Sequence, residues 1–324
     1  MSGSNYVTKI AFIGAGGRSG GFMVDALLKT GMHTITALTR EDSTSTVPKG
    51  VLTAKIDYAN QESLINALRG QDALIITMST AAPKEQEQAL IRAAGEAGVQ
   101  FVLPNEWGPD TANEEIRKDV GLFQVRADNR KLVEELGKTS YISVSTGFWY
   151  EWSLAIADSY GFDLNNKSVT LFDDGEAKIS TTTWPQVGRA VASLLSLPIK
   201  PEGGGDSKKC LENFRNKMVY ISSFTVSQKD MLESVLRVTG SKQEEWKITN
   251  QPSAERFATG ARELQKGNRV GFVHMMYSRI FFPDGCGDVE SSKGTSNDLL
   301  GLPREDIDDA TRVAIERAKT NPWS

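Results

Sequence analysis

Residues 9–31, KIAFIGAGGRSGGFMVDALLKTG, constrain this chain more than any other stretch. An apolar run of strand length, 9–13, leads into Gly14, Gly17 and Gly20 in a GxxGxxG spacing, with Gly16 and Gly21 beside them. Met23, Ala26 and Leu27 follow at helical spacing, and Gly31 is a helix stop. A strand, a glycine turn and a helix make a cradle for an anionic diphosphate. Glycine lets the backbone come close, and free N–H groups at the helix start point at the anion. The spacing predicts a dinucleotide site formed by Gly14, Gly16, Gly17, Arg18, Ser19 and Gly20.

Beyond the turn, strand-like runs at 34–39, 51–56, 73–78, 99–103 and 141–145 alternate with helical patterns at 61–68, 84–97 and a longer one ending at Gly137. The strands are almost continuously apolar, the mark of a parallel sheet covered on both faces. Right-handed crossovers then give an α/β fold, a doubly wound parallel Rossmann sheet. After Thr146 the rhythm changes to an aromatic cluster, a strand at 168–172, a turn at 173–175, a helix at 185–197 and a loop at 198–207. A strand at 218–221 and a helix at 227–238 capped by Ser227 follow, and the tail is mostly helical. Residues 1–150 read as the dinucleotide-binding domain, and 151–324 as a smaller α/β substrate-binding lobe.

With 324 residues there is ample length for a core, and 37 basic against 41 acidic side chains leave a net charge of −4. That balance offers no electrostatic footprint for nucleic acid or an acidic membrane. Cys210 and Cys286 stand far apart, and His33 and His274 are isolated, so neither a disulfide framework, a metal site nor a Ser–His–Asp triad is expected. No apolar run approaches membrane-span length, the first thirty residues lack a signal-peptide pattern, and the last four, NPWS, match no lipidation or peroxisomal signal. The expectation is a cytoplasmic monomer or homodimer.

The residue ending the second strand discriminates the nicotinamide cofactors, and here it is Arg40, followed by Glu41 and Asp42. Its planar donors suit a 2′-phosphate, and Arg18 offers a second positive charge, so NADP(H) is expected over NAD(H). Thr77, Met78 and Ser79 end the fourth strand at the sheet's carboxyl edge and are expected beside the cofactor, with Asn105 after the fifth. Trp107 follows the fifth strand, and Phe148, Trp149 and Tyr150 the sixth; aromatics on neighbouring loops predict a flat apolar slot for an aromatic molecule. Tyr150 is the candidate hydroxyl for proton supply or orientation. Trp152 reads as core, Glu106 as a loop-fixing group with substrate contact as its alternative, and Met275, Met276, Phe281 and Phe282 as core packing, with closure of the pocket as the alternative.

Four blocks carry a family resemblance: GAGGRSG at the turn, FVLPNEWGPD at 101–110, DDGEAKISTTTWPQVGRAVASLL from Asp173, and NKMVYISSFTVSQKDMLESVLRVTG from Asn216. Together they resemble the isoflavone reductase-like and NmrA-like group of atypical short-chain dehydrogenases. The resemblance implies NADPH-dependent hydride transfer to a conjugated carbonyl or quinone-methide-like carbon of an aromatic small molecule. It also implies that the helix near 184–197 returns to the first domain. One departure matters. The reductases place lysine in a KxxxR pattern where this chain has Arg126 and Arg130, and no tyrosine has a lysine four residues on. Arginine cannot pass a proton but can hold developing negative charge, so Arg126 is the catalytic candidate, its alternative being a pairing with a carboxylate. A non-redox enzyme on the same scaffold, or a cofactor sensor like the NmrA-type regulators, is the competing expectation.

Overall fold

The apolar runs become strands, and the amphipathic runs helices, in the computed structural model, which describes residues 4–202 and 207–320. The first half runs β1 (Lys9–Ile13), α1 (Arg18–Lys29), β2 (Thr34–Arg40), β3 (Leu52–Ile56), α2 (Gln61–Leu68), β4 (Ala73–Ile76), α3 (Lys84–Ala97), β5 (Phe101–Leu103), α4 (Glu114–Asp119), α5 (Gly121–Leu136) and β6 (Ser140–Ser145). The second runs β7 (Phe148–Trp149), α6 (Tyr150–Ala155), α7 (Ala157–Tyr160), β8 (Phe162–Asp163), β9 (Ser168–Phe172), β10 (Ile179–Thr182), α8 (Trp184–Leu195), β11 (Lys217–Tyr220), β12 (Phe224–Val226), α9 (Gln228–Thr239), β13 (Lys247–Gln251), α10 (Ser253–Gln265), α11 (Arg269–Ile280), α12 (Val289–Lys293) and α13 (Ile307–Lys319). Residues 203–206 of the expected 198–207 loop, and the 321–324 tail in which no targeting signal is expected, lie outside the described residues.

Seven strands form one parallel sheet in the order β11-β6-β5-β4-β1-β2-β3. Every residue of β4, β5 and β6 is buried, which is why those runs lack the alternation of a half-solvated strand. The order reverses between β1 and β4. Such a switch point opens a crevice at the carboxyl ends of the strands, where ligands bind in sheets of this kind.

The seventh strand goes beyond the six-strand reading. β11 pairs with β6, Val219 opposite Val144, although it lies well past residue 150. α8 also rejoins the sheet. Its Val187 and Val191 share a core with Ile10 and Phe12 of β1. Gly188 permits the approach to α1, since a Cβ there would stand 2.4 Å from the Phe22 carbonyl oxygen.

The rest of the second half has a core of its own around Phe148, Tyr160, Phe172, Ile280 and Phe281, beneath two three-stranded sheets. Ser227 caps α9 in a reciprocal box with Asp230. α10 and α11 form a tight hairpin because Gly271 lies against Gly260, whose carbonyl oxygen would be 2.4 Å from an added Cβ. That hairpin brings α11 over the carboxyl edge of the large sheet.

The histidines are structural. Buried His33 sits 2.9 Å from the Val7 carbonyl, with burial lowering its pKa, and His274 sits 2.9 Å from Asp158. Both cysteines are free thiols. Among the described residues no helix is long and apolar enough to cross a membrane, and no group of three or more His, Cys, Asp or Glu is placed to hold a metal.

Candidate active site

The glycine turn is shaped from within. Gly14 has a φ of +81°, and a Cβ on it would meet the Thr77 carbonyl oxygen at 2.1 Å; one on Gly20 would meet the Gly14 carbonyl oxygen at 2.1 Å. One on Gly16 would meet Thr46 of the polar loop at 2.2 Å. These three glycines therefore seat the turn against β4 and that loop. Gly17, Arg18 and Ser19 are the turn residues that wall the cavity. Gly17 caps α1 without a side-chain hydrogen bond, and the first turn holds no acidic residue. That leaves an electropositive helix start, the feature an anionic diphosphate needs.

Three latches hold the edge loops. Thr77 turns its hydroxyl to the Ile13 carbonyl at 2.9 Å, which ends β4 two residues earlier than the sequence suggests. The Asn105 amide accepts from Met78 N–H at 3.0 Å and donates to Met78 C=O at 3.1 Å. The Trp107 indole donates to the Ile76 carbonyl at 2.8 Å. Asn105 thus lines the cavity, but its amide is engaged in holding the β4 loop rather than presented as a ligand group.

Between these loops and α11 lies a cavity of about 600 Å³. Thr77, Met78 and Ser79 form one side, and Trp107, Phe148 and Trp149 another, as the sequence places them. Leu122 and Phe123 of α5 and Phe272, Val273 and Tyr277 of α11, all left out of the sequence reading, add to the wall together with Met276 of α11. The four α11 residues recur at helical spacing, a signal open to reading as core alone. Met276 belongs to the wall. Met275, in contrast, packs on Ile116 and Phe123, and Phe281 lies in the lobe core.

Two aromatic assignments exchange places. Tyr150 opens α6 fully buried, edge-on to Phe224 at 5.1 Å, with its hydroxyl 2.8 Å from Thr311 Oγ1, and it does not reach the cavity. Burial holds its phenol far above the ordinary value. Trp152, expected in the core, lines the cavity and carries the Arg18 guanidinium 4.5 Å above its ring. Two helical steps turn a side chain by roughly 200°, so residues 150 and 152 of one helix cannot share a face. The phenol in the wall is Tyr277, stacked on Phe148 at 4.1 Å, bonded to Ser153 at 2.8 Å and pushed up by burial to about 12.

The charge at the site is paired. Arg126 lines the cavity from α5 and donates through Nη1 to Glu87 Oε2 of α3 at 2.8 Å; their side chains are 11% and 5% exposed. Glu87 Oε1 accepts the Asn105 backbone N–H at 2.8 Å, which ties the pair to the β4–β5 edge. Burial pushes the Glu87 carboxyl up, against the pull of Arg126; the guanidinium stays charged. One turn along α5, buried Arg130 pairs with Glu106, and Thr111 donates to the same carboxylate. Glu106 anchors the loop through Arg130 and Thr111; Glu87 had been passed over, and Arg130 had been read only as the arginine that ends the KxxxR-type pattern. Arg40 stands apart at the end of β2, largely exposed, 3.3 Å from Asp42.

Beside Trp152, buried Glu151 accepts the Trp184 N–H at 2.8 Å at the start of α8. Burial raises its pKa from 4.5 to about 7, with Glu305 adding to the rise and Arg317 opposing it. The folded state therefore binds this proton more tightly than the unfolded chain. Its contribution is complete below 4.5 and is lost as the pH rises through about 7. Melting temperature is expected to decline across that interval, and Glu151→Gln, which keeps the acceptor, is expected to flatten the decline. Melts followed by circular dichroism at a series of pH values check this; parallel curves for the two proteins would refute it.

Known proteins share this architecture. The chain is 29% identical over 311 residues to oxidoreductase aprR of Aspergillus flavus, covering 93% of this chain and 96% of that protein. It is 30% identical over 184 residues to phenylcoumaran benzylic ether reductase POP1 of Populus trichocarpa, covering 53% and 59%. Among solved structures, AtPrR2 with NADP+ and (+)pinoresinol superposes with a TM-score of 0.76 at 17% identity, covering 97% of this chain and all of that one. Leucoanthocyanidin reductase from Vitis vinifera superposes with a TM-score of 0.73 at 16% identity, covering 95% and 99%. At such identities the structures speak for the fold. The sequence model of the NmrA-like family matches residues 7–191, more than half of the chain and the whole path from the glycine turn to α8, and the protein belongs to that family.

Proposed function

We propose that the protein is an NADPH-dependent reductase of planar aromatic small molecules bearing a conjugated carbonyl or quinone-methide-like carbon. The observation that carries this reading is a tethered guanidinium, Arg126, in an aromatic-walled cavity that adjoins a glycine turn at the sheet's switch point. The names of the relatives support it, since the matches above are an oxidoreductase and a benzylic ether reductase.

The turn fits the cofactor: Gly14 and Gly20 bring the backbone close, and the α1 start is uncapped by any side chain. Gly17, Arg18 and Ser19 would face the diphosphate, Arg40 the 2′-phosphate, and Thr77, Met78 and Ser79 the middle of the molecule. When bound, NADPH supplies the hydride. Trp107, Phe148 and Trp149 offer the aromatic surface on which the substrate stacks. Arg126 holds the charge that develops on the substrate oxygen, while solvent water supplies the proton that a guanidinium cannot give. Glu87 keeps Arg126 aimed.

Mixing the protein with NADPH and a panel of aromatic enones tests the reading, with cofactor absorbance as readout. Consumption of NADPH is expected. Tight NADPH binding with no oxidation across the panel would point to a cofactor sensor instead. Arg40→Asp is expected to weaken NADPH by about 10- to 100-fold and NADH far less, because a charge-assisted hydrogen bond to phosphate is lost and a like charge gained. Titration of both cofactors by protein fluorescence checks it; equal losses would remove Arg40 from the 2′-phosphate.

A further inference from the structure

Arg126 has more donors than the protein uses. Among the described residues its one hydrogen bond runs from Nη1 to Glu87 Oε2, which leaves Nε, Nη2 and the second Nη1 hydrogen without a protein acceptor. The side chain is 11% exposed and forms part of the cavity wall, so what remains open of it is reached from the cavity. Phe123 and Leu122, three and four residues earlier on α5, share its face of the helix. Of the neighbouring groups, the Asn105 amide is committed to Met78, and Thr111 and the Arg130 guanidinium to one oxygen of Glu106, whose other carboxylate oxygen has no hydrogen-bond partner. Charged donors with no protein acceptor at a cavity wall are open to the oxygens of a ligand, which take the place of water there.

The donors also have a shape. A guanidinium is a rigid planar fork suited to two oxygens side by side, whereas an ammonium is a point donor. Glu87 holds one prong, and Glu87 is itself held by the Asn105 backbone N–H, so the plane of the fork is fixed. The aromatic walls, in turn, fix the plane of the ligand.

Resting on the reductase reading of this cavity, we infer that the substrate carries two oxygen acceptors next to each other on one edge of its aromatic plane, and that Arg126 selects for the pair. A hydroxyl ortho to a ketone, a vicinal diketone and an aromatic carboxylate share this chemistry. Arginine at this position is then a specificity element that a lysine would not reproduce.

The test is a binding comparison that needs no turnover. Quenching of tryptophan fluorescence in the full-length protein, with and without NADP+, is titrated with acetonaphthone, its ortho-methyl and ortho-hydroxy derivatives, and naphthoate. The two-oxygen ligands are expected to bind about tenfold tighter than the plain and methylated ketones, the gain from one added charge-assisted hydrogen bond. Gain by the hydroxy ketone alone supports a neutral oxygen pair, and gain by naphthoate alone supports a carboxylate. Equal affinities for all four overturn the inference, whatever becomes of any variant. In Arg126→Lys the ratio is expected to collapse toward unity, and a ratio that persists there also overturns it. Because the readout is affinity, an inactive protein that shows the ratio would sink the reductase reading alone, and an active one without it would sink only the oxygen-pair inference.

Discussion

Glu87→Leu is expected to lower the unfolding free energy by about 3–5 kcal/mol, the cost of leaving a buried charge without its partner. The guanidinium of Arg126 would remain in the cavity wall, 11% exposed. The Asn105 N–H would also lose its acceptor, which loosens the loop that carries Met78. Removing both charges together, in Glu87→Leu with Arg126→Met, is expected to restore most of the loss, because apolar replacements of a buried ion pair are often neutral. Urea unfolding of the wild type, both single variants and the double variant measures the coupling. A Glu87→Leu protein as stable as wild type would mean that the pair is solvated in solution and that Glu87 does not aim the arginine.

The second large effect concerns turnover. Arg126→Ala is expected to reduce kcat for NADPH-dependent reduction by about 10²- to 10³-fold, the range for removing one preorganised donor at a developing oxyanion. The loss is expected in kcat more than in cofactor KM, since Arg126 belongs to α5 and not to the glycine turn. Arg126→Lys tests the chemistry from the other side. Lysine brings back a group that titrates, so the pH–rate profile of an active Arg126→Lys enzyme is expected to gain a descending basic limb that the native profile lacks. Steady-state kinetics over a pH series decides both points. Unchanged turnover in Arg126→Ala would remove the guanidinium from the mechanism.

Legibility differed between the frame and the site. The β1–turn–α1 unit was readable because its pattern is local: five strand residues, glycines at fixed spacing, then a helical apolar face. Arg126 was readable as a candidate, and so was its alternative pairing with a carboxylate. Which carboxylate was not, because Glu87 lies 39 positions away on another helix. The buried face of α5 was hidden for the same reason. Asn129 and Arg130 look like surface residues in sequence, yet both are buried, and Arg130 points inward because Glu106 of the β5 loop lies opposite. Most of the α11 wall was hidden too, since Phe272, Val273 and Tyr277 pattern as an ordinary amphipathic helix, and only Met276 had been weighed as a cover for the pocket.

The sequence alone determined the α/β class, the order of the first six strands along the chain, the glycine turn and the aromatic character of the loops after β5 and β6. Each of these follows from neighbours in the chain: periodicity, helix stops and backbone freedom are local properties. The tertiary structure alone decided that β11 completes the sheet, that Trp152 rather than Tyr150 faces the cavity, and that Arg126 is tethered by Glu87. Those outcomes depend on which distant surfaces bury one another. A buried charge goes where a partner waits, and an aromatic ring goes where its helix phase and the packing around it direct it.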